Sequence, residues 1–162
     1  IIVCIDKNNG IGKDGGLLFS IPEDMAYFRR MTANKTVIMG RKTLESLPGG
    51  RPLGNRRNIV LTRNKGSVPE GAYAVSSIDE LKAAIGRDEA FVIGGESIYA
   101  MLLDQCERAY VTEVEACGNA DRFFPDIRGM PDWRLAEQGG ERDYGGLKYR
   151  FNVYKKNPVN EL

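Results

Sequence analysis

The stretch Val37-Ile38-Met39-Gly40-Arg41-Lys42-Thr43 reads as a buried strand that runs into a helix through a single glycine. A continuous apolar run suits a strand covered on both faces. Glycine then allows a sharp turn, and the first amides of the new helix point outward from the strand's carboxyl end. Val92-Ile93-Gly94-Gly95-Glu96-Ser97 repeats the arrangement. Two such junctions on one parallel sheet imply an α/β protein. They also offer two helix N-termini that could bracket a pyrophosphate, through unsatisfied donors and the helix dipole.

Neither junction is a G-x-G-x-x-G or Walker loop, so plain α/β turns remain an alternative reading of each. Arg41-Lys42 at the first junction favours phosphate, as does Arg63 after the strand Asn58–Thr62. A guanidinium at that strand end can grip an adenosine 2′-phosphate, which selects NADP over NAD.

Around these junctions the chain alternates short strands and helices. Ile1–Ile5 is a buried-type strand, and Asp6–Phe19 reads as a long glycine-rich loop of the kind that carries function. Pro22 opens a helix to about Ala33, Thr36–Met39 is a strand, and a short helix ends near Leu47. Pro48–Arg57 is a Gly/Pro-rich loop. Strands at Asn58–Thr62, Ala72–Val75 and Ala90–Ile93 follow, with helices from Ser77 to about Ile85 (capped by Gly86) and over Glu96–Leu103. Tyr110–Glu115, Arg134–Glu137 and Leu147–Tyr154 close the sheet. The expected architecture is a single-domain three-layer α/β/α sandwich around a central mixed, mostly parallel sheet of about eight strands, with about four helices. The domain is expected to span 1–156 with a polar tail over 157–162, and the polar coda Lys155–Leu162 is expected to fray.

A chain of 162 residues suffices for one domain with a sizeable core. The chain opens on Ile1 within an apolar run, so residues are expected to precede it. A formal charge of +1 gives no reason to expect nucleic acid or an acidic membrane surface. No apolar run approaches the roughly 18–20 residues of a membrane span. Arg41, Lys42, Arg51, Arg56, Arg57, Arg63 and Lys65 form a basic run that is either a solvated face or a groove for a phosphorylated or carboxylated small molecule. Cys4, Cys106 and Cys117 are odd in number and widely spaced, as in a reducing cytoplasm. The chain has no histidine, which removes Ser-His-Asp and Cys-His catalysis and histidine metal sites. Acid–base chemistry must then use a carboxylate, Tyr, Lys, Cys or water, and no metal is expected.

In Pro22-Glu23-Asp24-Met25-Ala26-Tyr27-Phe28 a helix from Pro22 puts Asp24 and Phe28 on one face. A carboxylate there can accept two N–H donors of an amino-heterocycle while the aromatic ring packs on it. The plainer alternative is an acid that favours the helix dipole beside a core phenylalanine. Of Arg56 and Arg57, strand alternation lets one anchor a ligand carboxylate while the other faces away.

Taken together these segments resemble dihydrofolate reductase over nearly the whole chain. The resemblance is carried by Asn9-Gly10-Ile11-Gly12, Ile21 through Phe28, and Val37 through Ser46. It continues in Arg51-Pro52-Leu53, Arg56-Arg57-Asn58, Val92-Ile93-Gly94-Gly95 and Phe124-Pro125-Asp126. It implies a bacterial-type enzyme that is cytoplasmic, monomeric, uses NADPH, and binds dihydrofolate and antifolate inhibitors. Asp24 would be the catalytic acid, supported by Thr112. Ile2, Met25, Phe28, Leu47, Leu53, Ile93 and Tyr99 would line the substrate site, and Arg56 would pair with the substrate's glutamate carboxylate. The cofactor would meet Val3, Ile11, Gly12, Gly40, Arg41, Lys42, Thr43, Leu61, Thr62 and Arg63. At the second junction it would meet Ile93, Gly94, Gly95, Glu96, Ser97, Ile98 and Tyr99, with a cis peptide joining Gly94 and Gly95. The segment Gly12–Phe19 would be a mobile lid. Two departures stand out: Leu17-Leu18-Phe19 replaces the usual lid tryptophan after proline, and Ser97 stands where some bacterial members have arginine. The alternatives are the related reductase of riboflavin biosynthesis and a non-catalytic folate- or nucleotide-binding module.

Overall fold

The computed structural model describes residues 1–158. Its elements in chain order are β1 (Ile2–Ile5), β2 (Gly10–Lys13), β3 (Gly16–Leu17), α1 (Pro22–Thr32), β4 (Thr36–Gly40) and α2 (Arg41–Ser46). Next come β5 (Arg57–Leu61), β6 (Ala72–Val75), α3 (Ile78–Ile85), β7 (Ala90–Gly94) and α4 (Glu96–Leu102). The last are β8 (Arg108–Val114), β9 (Arg122–Phe123), β10 (Trp133–Gln138), β11 (Arg142–Tyr144) and β12 (Leu147–Lys156). The chain divides into two compact units, Pro22–Tyr99 and the remainder, Ile1–Ile21 with the chain from Ala100 onward.

In the unit Pro22–Tyr99, four strands pair in the order β6-β5-β4-β7, and all pairings are parallel. Val37, Met39, Ile59 and Val60 are wholly buried. Helical crossovers cover a parallel sheet on both faces, so its central strands must be apolar throughout. This is why Val37–Met39 could be read as a strand without any alternation. The helix α3 starts where Ser77 Oγ accepts the Glu80 N–H at 3.1 Å, and it stops at Gly86, whose φ is +62°. Both ends lie where the Ser and Gly signals put them.

The other unit builds a five-stranded mixed sheet in the order β1-β8-β12-β10, with β11 also on β12. One buried cluster in it is Ile21, Val114 and Tyr149, and Phe19 and Phe151 pack against it. Tyr149 meets Phe151 edge-on, with ring centroids 5.7 Å apart.

Two features differ from the sequence reading. The segment Asp6–Phe19 is not a loop throughout: β2 and β3 form a hairpin in which Gly12 pairs with Leu17, and β9 adds to its other side. Its turn is Asp14-Gly15, with φ of +50° and +78°, the two-residue turn whose twist matches a hairpin. Gly145-Gly146, at +57° and +87°, closes the β11–β12 hairpin in the same way. The second difference is at the end of the chain. Lys155 and Lys156 are ladder residues of β12 rather than the start of a fraying coda, paired with Arg134 and Trp133. The rest of the expected tail lies outside the described residues from 159 onward.

Candidate active site

Parallel pairing puts the carboxyl ends of β6, β5, β4 and β7 on one edge of their sheet. The register matches Val75 with Leu61, Leu61 with Gly40, and Met39 with Gly94. Thr62-Arg63, Gly40–Thr43 and Gly94–Ser97 therefore leave three adjacent strands side by side. In an open α/β sheet that edge is where ligands bind. Gly40 caps α2 with extended backbone, and no side chain caps the helix. A Cβ on Gly40 would lie 2.9 Å from Ile98 Cγ1, so the two candidates Gly40 and Ile98 are matched in shape. Gly94 has φ of +127°, and the Tyr99 ring lies 3.3 Å from where its Cβ would be. The Gly94–Gly95 peptide is cis, as expected. Thr43 Oγ1 lies 3.4 Å from the Cβ position of Gly95, so the two junctions touch.

The basic run is only partly committed elsewhere. Arg41 Nη1 donates to Glu45 Oε1 at 2.5 Å, one turn along α2. Lys65 holds Glu80 at 2.6 Å, and that hydrogen bond, followed by the Ser76 amide, draws the Glu80 carboxyl below its ordinary range. Lys42 and Arg63 are exposed beside the strand ends. Leu61 is buried, Thr62, Ile93 and Glu96 are half-buried, and Ser97 is exposed. Ile98 and Tyr99 are buried, so in this unit they shape the junctions from behind.

On α1, Glu23 and Asp24 occupy the first turn and Arg29 and Arg30 the last, an arrangement that complements the helix dipole. Asp24, Phe28 and Thr32 share a face at four-residue spacing. Asp24 and Phe28 are half-buried, Met25 is 39% exposed, and Thr32 is wholly buried. Thr32 Oγ1 donates to Phe28 O at 2.8 Å and accepts from Arg56 Nη1 at 3.3 Å.

That bond sets the two arginines apart. Arg56 turns to α1, while Arg57 Nη1 donates to Ala84 O of α3 at 2.5 Å. Burial, and then the nearby Arg29 charge, hold the Arg56 guanidinium below its usual range. A cation that is desolvated and repelled by a neighbour gains more than usual from an anionic partner. Leu47 and Leu53, on the segment leading to β5, are half-buried.

The remaining candidates belong to the other unit. Ile2 and Val3 are buried on β1, which pairs with β8 so that Val3 faces Val111 and Cys4 faces Thr112. Thr112 is buried at the middle of β8. Ile11 and Gly12 lie half-buried on β2. Phe19, where the lid departs from the usual pattern, packs on the Ile21–Val114–Tyr149 cluster.

Three residues that organise these parts were given no role in the sequence reading. Asp6 is buried, and its carboxylate accepts the N–H groups of Asn8 at 2.8 Å, Gly10 at 2.7 Å and Gly118 at 2.9 Å. Burial pushes its pKa up, but the three amides and the Arg128 charge outweigh this and hold it below the ordinary value. Glu113 accepts from Asn152 Nδ2 and from Tyr154 OH, and it faces Arg128, whose Nη2 donates to Asn9 Oδ1 at 2.7 Å. Tyr154 is pushed well above its normal range by burial and by the Glu113 charge. Asn58 is buried and bonded three times to the segment before it. A lone Asp, Glu or Asn carries no periodic signal. Only the Asx-turn spacing of Asp6-Lys7-Asn8 offers a local signal for any of the three.

Comparison with known proteins gives the family and the fold. The family model described as dihydrofolate reductase matches residues 1–156. The dihydrofolate reductase of Bacillus subtilis is 40% identical over 158 residues, covering 96% of this chain and 92% of that protein. That of Staphylococcus haemolyticus is 35% identical over 159 residues, covering 96% and 94%. A solved dihydrofolate reductase from Enterococcus faecalis, complexed with NADP(H) and RAB-propyl, superposes with a TM-score of 0.87 at 29% identity, covering 96% of this chain and 94% of that one. The α/β architecture expected from the sequence is thus a shared fold, and its class is that of an oxidoreductase. The chain belongs to the dihydrofolate reductase family.

Proposed function

We propose that this chain reduces 7,8-dihydrofolate to 5,6,7,8-tetrahydrofolate with NADPH, working as a cytoplasmic monomer whose catalytic domain is 1–156. One observation carries the reading: in a chain matching the family over 1–156, three phosphate-suited strand ends adjoin on one sheet edge, and α1 presents Asp24 and Phe28 on one face.

The donor set fits the cofactor. Arg63 and Lys42 offer cations at neighbouring strand ends, Arg41 and Thr43 begin an uncapped helix, and the Gly94-Gly95 junction abuts Thr43. When bound, NADPH supplies the hydride that reduces C6 of the pterin. With Ser97 at the second junction, Arg41 and Arg63 carry the recognition of a 2′-phosphate.

Asp24 accepts the 2-amino and N3 hydrogens of the pterin, and its negative charge favours the protonated ring. That raises the electrophilicity of C6. In a chain with no histidine the proton reaches N5 through water, and Thr112 is assigned the hydroxyl that supports the acid. Phe28, Leu47 and Leu53 provide apolar surface for the flat rings and the aminobenzoyl group. Arg56 grips the glutamate α-carboxylate. The hairpin β2–β3 is the lid, anchored at its far end by Phe19.

The test is absorbance at 340 nm with NADPH and dihydrofolate, for the natural chain and for Asp24→Asn. The natural chain should oxidise NADPH. Asp24→Asn should lose about 10²- to 10⁴-fold in turnover at pH 7 while NADPH affinity holds. Unchanged turnover at neutral pH would remove Asp24 from the mechanism.

A further inference from the structure

Arg56 stands at the end of an irregular segment, yet a carboxylate anchor has to be held to within a fraction of an ångström. The rigidity comes from the side chain two residues on. Asn58 is the second residue of β5, an interior strand, and its backbone is paired with Val37 of β4 on one side and Ala72 of β6 on the other. The side chain is 2% exposed. Its Oδ1 accepts the Leu53 N–H at 2.9 Å, and its Nδ2 donates to Leu53 O at 2.9 Å and to Arg56 O at 3.0 Å. Every strong donor of the amide is used, and all of them act on the two residues assigned to the outer part of the substrate.

Leu53 is clamped at both its backbone groups, as if by one further rung of a ladder. Arg56 is held at its carbonyl by Asn58, at Nε by Gly54 O at 2.7 Å, and at Nη1 by Thr32 Oγ1. The ladder thus fixes the base of the arginine, and α1 fixes its head. The place suits an amide: a carboxylate would lack the donors for two carbonyls, and an aliphatic side chain would leave three backbone groups without partners.

We propose that Asn58 is a positioning residue for substrate selection, setting the Arg56 guanidinium and the Leu53 wall so that a carboxylate-bearing folate is preferred to a bare pterin. The proposal rests on the reading of Arg56 as the carboxylate anchor. Asn58 lies away from the reacting ring, so its removal weakens binding of the tail in ground and transition states alike. The loss appears in KM and not in kcat.

The experiment compares 7,8-dihydrofolate with 6-methyl-7,8-dihydropterin, which has neither aminobenzoyl group nor glutamate. Asn58→Asp, Asn58→Ser, Arg56→Leu and the double variant Arg56→Leu/Asn58→Ser are assayed with both substrates. A ratio of the two substrates in one preparation does not depend on how much of a variant folds. Asn58→Asp and Asn58→Ser should raise KM for dihydrofolate by about tenfold, the worth of about one hydrogen bond. The bare pterin should change by no more than about twofold, and kcat should hold for both. Arg56→Leu should show the same selectivity, and adding Asn58→Ser to it should cost dihydrofolate little more. Equal losses on both substrates, with Arg56→Leu selective, would make Asn58 merely structural and overturn the proposal. If Arg56→Leu spares dihydrofolate, the Arg56 reading fails first and the proposal falls with it.

Discussion

The carboxyl edge of the β6-β5-β4-β7 sheet and the root of the β2–β3 hairpin hold their backbones by opposite means. At the sheet edge, strand ladders set the geometry, and residue 40 contributes mainly by leaving room, as Gly40 does for Ile98. At the hairpin root, one carboxylate gathers the amides of Asn8, Gly10 and Gly118, and the ladder is interrupted between Gly10 and Gly12. A geometry carried by ladders is redundant, because many bonds of about 1 kcal/mol share the work. A geometry carried by one side chain has a single point of failure.

The sharpest way to break the comparison is Asp6→Ala. It strands three amides at once, with an expected loss on the order of 3 kcal/mol in urea unfolding at pH 7. A loss below about 1 kcal/mol would mean that the hairpin root is held by its ladders after all. The acid limb adds a second readout. Asp6 binds its proton less tightly folded than unfolded, so its stabilisation is complete above the unfolded value of about 3.9 and fades as pH falls through the lower folded one. The gap between Asp6→Ala and the natural chain should therefore narrow on acidification below about pH 4. A gap that stays constant to pH 2 would contradict the depressed pKa.

Next in size is Gly40→Ala. Its Cβ meets Ile98 Cγ1 at 2.9 Å, and overpacking of this kind costs about 1–3 kcal/mol. NADPH affinity should fall with it, since the first junction moves. Ser77→Ala, which removes the N-cap of α3, should cost about 1 kcal/mol in stability without changing either substrate constant. Least of all, Glu45→Ala should change stability by under about 0.5 kcal/mol, because its bond to Arg41 is solvent-exposed at both ends.

The same contrast explains which parts could be read in the sequence. The strands β4, β5 and β7 and the caps of α3 were visible because ladders and caps impose a period or a residue type. Both glycine junctions were visible for the same reason. The β2–β3 hairpin carried its Asp14-Gly15 turn signal, but its strands have glycines at 10, 12 and 16 where alternation would show, so the segment passed for a loop. The short edge strand β9, two residues long, is below any periodic signal. Strand alternation puts Arg56 and Arg57 on opposite faces without telling them apart, and only the resemblance named Arg56, whose contact Thr32 lies 24 residues earlier. Asp6, Glu113 and Asn58 act through contacts with backbone or distant side chains, which no local pattern records apart from the Asx-turn spacing after Asp6. The resemblance to the family supplied roles for residues, though not the contacts that hold them.

The fit of Ile98 over Gly40 also constrains how this enzyme can change over generations. With Cγ1 in place, any side chain at position 40 meets a wall, so the first substitution on such a path must fall at 98. Shrinking Ile98 alone opens a void beneath the junction, and only the second change refills it. The two sites are thus expected to move in a fixed order or not at all, and the pairing of alanine at 40 with an unshortened isoleucine at 98 should be the combination missing among descendants.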